Sequence, residues 1–454
     1  MKNARIILLA LVAQLGFTAC PGPVTPDKLT LDSAVCYLNF GAGGSPWASI
    51  TLNSGSNWTL QNNTSGYVET DQSAGMAGNT VVQLRVSPDF ISFIEGGSLT
   101  DGLMGSLTFE NAGGSKELKV YYVGKGVPKS PRLVTTVAEL QAMKDNLAGH
   151  YLLMNDLTVN NWLPIGDYTA PDKVFSGSLD GLGHHIILNS FSNEVPRSLD
   201  PPDHAYLYGL MGFVKEGQVK NLHMQIAASA QNIKNDILVL YGGIAGGLVG
   251  NNAKIENCRV SGALLCSATS DVVSLGGIVG VMSSGAVTNC VSTASINATS
   301  RGRVDVGGLA GGINGGTLSY SYATAKMEGR GVTWCFIGGL VGQGSGGAAT
   351  SCVALMSNVT GSVAGGGDLR IGRIVGDPYG PFEAALAKNY ANTSMSVSGG
   401  IGMSGATTKH GESIALSATR TPTWWQTTGP GFVFSNTVWK WNDITRQPKP
   451  YWEN

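Results

Sequence analysis

Few residues in this chain are typed and spaced for chemistry. Asp180-Gly181-Leu182-Gly183-His184-His185 sets a carboxylate beside two imidazoles, which could serve a metal ion or an acid–base pair. The same residues also suit a tight turn, because Asp and Gly accept bent backbone, and the turn is the reading adopted. Gly342-Gln343-Gly344-Ser345-Gly346-Gly347 fits G-x-G-x-x-G, but no helix pattern follows, and a chain with 64 glycines generates that spacing readily. There is no C-x-x-C pair, no H-E-x-x-H, no EF-hand loop and no G-x-S-x-G elbow. Charges in the second half are scattered: Asp271, Arg301, Arg303, Asp305, Glu328, Arg330, Asp368 and Arg370. Arg301 and Arg330 fall near corresponding places in adjacent repeats. With Arg303, they read either as solvated loop residues or as a ligand-facing set. No catalytic set and no cofactor site is expected. A net charge of -1 gives no electrostatic reason to expect nucleic acid as a partner.

The elements that would position these residues repeat. Gly246-Gly247-Leu248-Val249-Gly250, Gly276-Gly277-Ile278-Val279-Gly280, Gly307-Gly308-Leu309-Ala310-Gly311 and Gly338-Gly339-Leu340-Val341-Gly342 recur at intervals of 30, 31 and 31 residues. Degenerate copies stand at Tyr208-Gly209-Leu210-Met211-Gly212 and Gly372-Arg373-Ile374-Val375-Gly376. A second motif trails each copy and places Cys258, Cys290, Ser321 and Cys352 at 32, 31 and 31 residues. A period near thirty built from short strands, with no helical periodicity between them, predicts a β-solenoid. About three strands per coil are expected. Leu248, Ile278, Leu309 and Leu340 should form one inward ladder, with paired glycines at a corner where coils approach closely. The Cys/Ser position is expected to stack as small buried groups rather than as disulfides, because stacked neighbours rarely meet bridge geometry.

A capped helix precedes the repeats. Thr136 and Glu139 form a capping box, Val137, Leu140, Met143 and Leu147 share a face, and Gly149 stops the run. It should cover the first coil. Residues 421–454 hold Trp424, Trp425, Phe432, Phe434, Trp439, Trp441, Tyr451 and Trp452, including five of the nine tryptophans. They are read as a C-terminal cap with its own aromatic core, and alternatively as a sugar-stacking platform. Between residues 29 and 126, short alternating strands such as Ala48-Ser49-Ile50-Thr51-Leu52 and Leu118-Lys119-Val120-Tyr121-Tyr122-Val123 predict a β-sandwich. Pro128-Lys129-Ser130-Pro131 marks a linker over 127–131.

The first residues carry an address. Lys2 and Arg5 precede an apolar run from Ile6 to Leu15, too short to span a bilayer as a stable helix. Phe17-Thr18-Ala19-Cys20 then resembles a bacterial lipobox, which implies removal of 1–19 and diacylation of Cys20; an ordinary signal peptide is the alternative. Residues 20–28, with Pro21, Pro23 and Pro26, read as a stiff tether.

Two further resemblances rest on motifs. Ser56-Asn57-Trp58-Thr59 and Gly78-Asn79-Thr80 make the region 29–126 similar to BACON-like sandwiches, with Tyr67 where that family usually has a second tryptophan. Over residues 132–420 the repeats resemble GLUG motifs. The helix, Tyr151-Leu152-Leu153-Met154-Asn155-Asp156-Leu157, Trp162-Leu163-Pro164-Ile165-Gly166 and Phe175-Ser176-Gly177-Ser178-Leu179-Asp180-Gly181 resemble the start of such solenoids. These resemblances imply an all-β surface lipoprotein: membrane-attached through lipid, probing a glycan or protein along the solenoid, and not an enzyme. A polysaccharide-cleaving β-helix, lyase or hydrolase, is the alternative. The implied location is the outer membrane at the cell surface. The residues after Cys20 lack the acidic run associated with outward export, so the periplasmic leaflet stays open.

Overall fold

The structure is a computed structural model. It describes residues 28–38, 47–90, 103–122, 131–167, 170, 172–193, 205–227, 229–233, 238–269, 271–397 and 407–453. The signal segment, Cys20, the tether through residue 27 and linker residues 127–130 lie outside the described residues. Backbone contacts divide the chain into two units, meeting between Leu133 and Val134.

The first unit is a β-sandwich. One sheet joins Leu29–Leu31, Ala48–Ser54, Gly78–Val86 and Val68–Thr70. The other joins Val35–Leu38, Gly114–Tyr122, Leu103–Asn111, Trp58–Asn63 and Ala74–Gly75. Alternation puts Ile50, Leu52, Val82, Leu84, Leu107, Phe109, Leu118 and Val120 inside, around Trp58. Tyr67 meets Phe90 edge to face at 5.1 Å.

The second unit is a parallel β-solenoid of about six turns. The central turns contain four or five short strands rather than the expected three. The middle turn runs Val279–Met282, Ala286–Thr288, Val291–Ser292, Ser295–Thr299 and Arg303–Gly307 before the next begins at Ala310–Ile313. Two corner devices break the coil into more faces than the period alone indicates. The first is the residue before each Cys/Ser position: Asn221, Asn257 and Asn289 hold φ near the left-handed value, each at 53°. Asn tolerates that conformation better than other side chains. Tyr320, Ser351 and Lys388 occupy it in later turns. The second is the glycine pair. A Cβ on Gly276 would lie 2.6 Å from Gly311 N and 2.7 Å from Ala310 Cα of the next turn, so only glycine fits.

The register corrects one sequence assignment. The strand Leu238–Gly242 pairs with Val272–Gly276 so that Gly242 faces Gly276, and Ala245 faces Val279. The corner of that turn is therefore Gly242-Gly243-Ile244, not Gly246-Gly247-Leu248. The inward ladder is Leu210, Ile244, Ile278, Leu309, Leu340 and Ile374, joined amide to carbonyl from Ile244 onward. Leu248 belongs to a separate inward ladder with Val214, Met282 and Ile313. Gly247 is small for another reason: the Phe213 ring occupies the space a side chain would take.

The Cys/Ser position behaves as a ladder of small donors. Cys258, Cys290, Ser321 and Cys352 are buried, and each donates to the carbonyl two residues earlier, Glu256, Thr288, Ser319 and Thr350. None of the six described cysteines is disulfide-bonded. Burial pushes the Cys352 thiol up to about 12, so it stays protonated and inert.

The capping box forms: Glu139 N donates to Thr136 Oγ1 at 3.2 Å, and Thr136 N to Glu139 Oε2 at 3.0 Å. The helix is Val137–Gln141, tightening into a 3-10 turn at Ala142–Asp145, and buries Leu140 and Met143 in the first turns. The aromatic tail forms a buried cluster, but along the flank rather than over the end. Trp424, Trp425, Phe432 and Trp439 pack on Val291, Tyr322, Val353 and Tyr390 from four successive turns. The hairpin Trp439–Asn442 with Gln447–Pro450 carries the strap back, where Trp452 Nε1 donates to Asn257 O at 3.0 Å and Glu453 pairs with Arg259 at 2.9 Å. The last turn is covered differently. Arg373 replaces the second corner glycine, and its buried guanidinium donates to His410 O at 3.0 Å, Gly411 O at 3.1 Å and Ser413 Oγ at 3.0 Å.

Candidate functional site

The acid–imidazole stretch is structural. Asp180 Oδ1 accepts from Leu182 N at 3.0 Å and Asn221 Nδ2 at 2.9 Å, which is a turn and a stacking bond. His184 sits 3.1 Å from Asp156 instead. His185 stacks edge to face on His223 at 4.4 Å. Burial, then the neighbouring His185 and Arg259, pushes His223 down to about 3. Among the described residues, no group of three or more His, Cys, Asp or Glu is placed to hold a metal. Gly342 and Gly344 lie in the strand Val341–Gly344, and Gly347 turns at φ 78°.

The three arginines named from sequence do not share a face. Arg301 is exposed in the bend between Ser295–Thr299 and Arg303–Gly307. Arg330 lies on the outside of Met327–Gly331, its Nε 2.9 Å from Glu328 Oε1. An exposed pair of that kind contributes little. Arg303 alone reaches a built site.

That site is a seam running across the turns. On either side of each glycine corner, one strand of each turn sends side chains outward. The two rows meet across the corner. Strand register gives one row as Leu240, Ser274, Asp305, Phe336 and Arg370, and the facing row as Gly247, Val281, Gly312, Gln343 and Asp377. A lip row reads Leu238, Val272, Arg303, Trp334 and Asp368. The seam is apolar at its start, where Leu207, Leu240, Phe213 and Val281 pack together. It turns charged and aromatic over the last three turns.

There the side chains interlock. Arg303 Nε donates to Asp305 Oδ1 at 2.8 Å, Arg370 Nη1 to Asp377 Oδ1 at 2.7 Å, and Arg370 Nε to Asp368 Oδ2 at 2.7 Å. The Phe336 ring lies 4.8 Å from the Arg303 guanidinium carbon and 5.5 Å from that of Arg370. Trp334, 50% exposed, stands between Arg303 and Asp368 on the lip. Asp305 is only 4% exposed. Burial pushes its carboxyl up from 3.8 to about 6, Arg303 opposes that, and Asp377 adds to it. A buried carboxyl beside a fixed guanidinium in a groove marks a candidate site. Gln343 is 9% exposed, and its amide, held by no side-chain hydrogen bond among the described residues, is not cut off from solvent. Gly312 leaves a notch: a Cβ there would stand 3.4 Å from Val281 Cγ2 and 3.6 Å from Ser274 Oγ, ordinary contact distances.

Sequence reading missed Asp305, Trp334, Phe336, Gln343, Arg370 and Asp377 as a set. The available signal was a column two residues before each corner, where Ser274, Asp305, Phe336 and Arg370 vary in chemistry while their neighbours repeat.

No family model matches the chain, and no solved structure matches it. Halomucin of Haloquadratum walsbyi (strain DSM 16790 / HBSQ001) is 28% identical over 225 residues, which cover 41% of this chain. The chain spans 2% of that protein's length, so the similarity is partial.

Proposed function

We propose that this chain is a GLUG-type cell-envelope lipoprotein, anchored through Cys20, whose solenoid binds a glycan or protein ligand without catalysis. The observation that carries the reading is the seam: a half-exposed Trp334 beside guanidinium–carboxylate pairs and the Gln343 amide. A planar ring next to fixed donors and acceptors suits adhesion to hydroxyl-rich or peptide surfaces. The lipobox supports display at the outer membrane. The test is a glycan and host-protein array probed with the chain from Cys20 onward. Saturable binding that weakens in Trp334→Ala supports the reading, and binding that ignores this substitution removes the seam from it.

Asp305 favours one second reading. A carboxyl raised to about 6 is suited to donate a proton near neutral pH. A polysaccharide lyase or hydrolase would use it as the acid. Release of shortened chains from a polysaccharide panel, abolished in Asp305→Asn, would replace the binding reading with this one.

A further inference from the structure

The seam sets two guanidiniums against three carboxylates. Arg303 is matched by Asp305, and Arg370 by both Asp368 and Asp377. A phosphate, sulfate or uronate ligand would meet net negative charge here, and Arg370 already commits Nε, Nη1 and Nη2 to carboxylates. A cationic ligand would compete with the same two arginines. An apolar peptide would need exposed aliphatic surface, yet Leu207 and Leu240 are already covered. What remains on offer is of another kind. Trp334 leaves half its surface open, and the Gln343 amide can both donate and accept, as hydroxyls do. Carboxylate oxygens of Asp368 and Asp377 keep acceptor capacity beyond their arginine bonds. The Gly312 notch gives depth without strain, and successive rungs are spaced at about 4.8 Å, the pitch of stacked strands. Gln343 is nine-tenths buried and faces the seam from between Gly312 and Asp377.

From this we infer that the seam between Ser274 and Asp377 is a subsite run for an uncharged pyranose polymer, stacked on Trp334 and held by Gln343. The inference rests on the binding reading above and narrows its ligand class. One sugar ring lies against Trp334, its hydroxyls bonded to Gln343 and to Asp368, and the chain passes over the Gly312 notch. Arg303 and Arg370 hold Phe336 and the carboxylates in place and act as positioning residues.

The test is calorimetric titration of the full chain from Cys20 with cellohexaose, xylohexaose, mannohexaose and maltohexaose. Hexagalacturonate serves as the charged comparison. Saturable binding to at least one neutral hexaose is expected, little changed between low and high salt. It should weaken about tenfold or more in Trp334→Ala and in Gly312→Val, a loss of about 1.4 kcal/mol. Trp334→Phe should restore part of it. Unchanged circular dichroism and thermal midpoints would show that both variants fold. No binding to any of the four neutral probes overturns the inference. So does neutral binding that neither variant weakens, although a binding solenoid would then survive with its site elsewhere. Binding of hexagalacturonate alone, lost in Trp334→Ala, overturns the neutral ligand class while leaving the seam as the binding face.

Discussion

Replacing Asp305 by asparagine should stabilise the solenoid at neutral pH. In the folded chain this carboxyl titrates near 6 rather than 3.8, chiefly because it is buried. Below 3.8 both folded and unfolded chains hold the proton, and the group contributes nothing. As pH rises from 3.8 to about 6, the unfolded chain ionises while the folded chain keeps its proton, so stability falls. Above that window the penalty is constant. The interval corresponds to about 3 kcal/mol at about 1.4 kcal/mol per pH unit. Local relaxation and water penetration reduce the usable part to about 1–2 kcal/mol. Asparagine offers an oxygen to Arg303 Nε, which donates to the native carboxylate at 2.8 Å, without the buried charge. The assay is urea unfolding of both proteins at several pH values. The variant should be the more stable near about pH 8, with the gap closing near about pH 4. A gap that does not move with pH, or a variant weaker at the alkaline end, would refute the reasoning.

Three other outcomes follow from the packing. Arg373→Met strips the last turn of donors to His410 O, Gly411 O and Ser413 Oγ. It should cost about 2–4 kcal/mol, seen as faster hydrogen exchange in 372–376 and 409–414 while the first turns stay protected. Cys290→Ser should change stability by less than about 1 kcal/mol, because Ser321 already fills the same rung. Cys290→Leu overpacks it by about 1–3 kcal/mol in denaturant titration. Trp425→Ala should cost about 3–5 kcal/mol, since this buried side chain joins Tyr322 at 5.3 Å and Phe432 at 5.0 Å. Limited proteolysis should then cut first within 424–453.

How much of this was legible in the sequence depends on which residues repeat. The solenoid was legible because its inward positions and corner glycines recur at a near-constant interval, fixed by steric demands that each turn shares. The capping box was legible because it is local. The first corner was misplaced because two glycine pairs stand four residues apart. The pair at Gly246-Gly247 spells the later copies better, while Gly242 is the residue where a Cβ would stand 2.6 Å from Val279 Cα. The choice is made by contact with the following turn, which no local pattern contains. The seam was hidden for the opposite reason. Ser274, Asp305, Phe336 and Arg370 share a column but not a chemistry, and their partners Gln343 and Asp377 come from the far side of a corner. The flanking strap was read as an end cap because aromatic composition reports that a core exists and not which surface it covers.

The strap also sets an order of completion. Arg259 and Glu453 are bonded across 194 residues of sequence, and Tyr322 waits for the carbonyl of Pro448. Parallel turns can stack one upon the last as the chain emerges, each closing a loop of modest length. Their outer flank at Val291, Tyr322, Val353 and Tyr390 stays wet until residues 424–453 arrive. Closing so long a loop comes late and adds little to the early rate. A chain interrupted before the strap would therefore own a finished coil with an apolar stripe along its side, open to neighbouring chains. The strap thus seals the fold as well as packing against it, marking the coil as fully made.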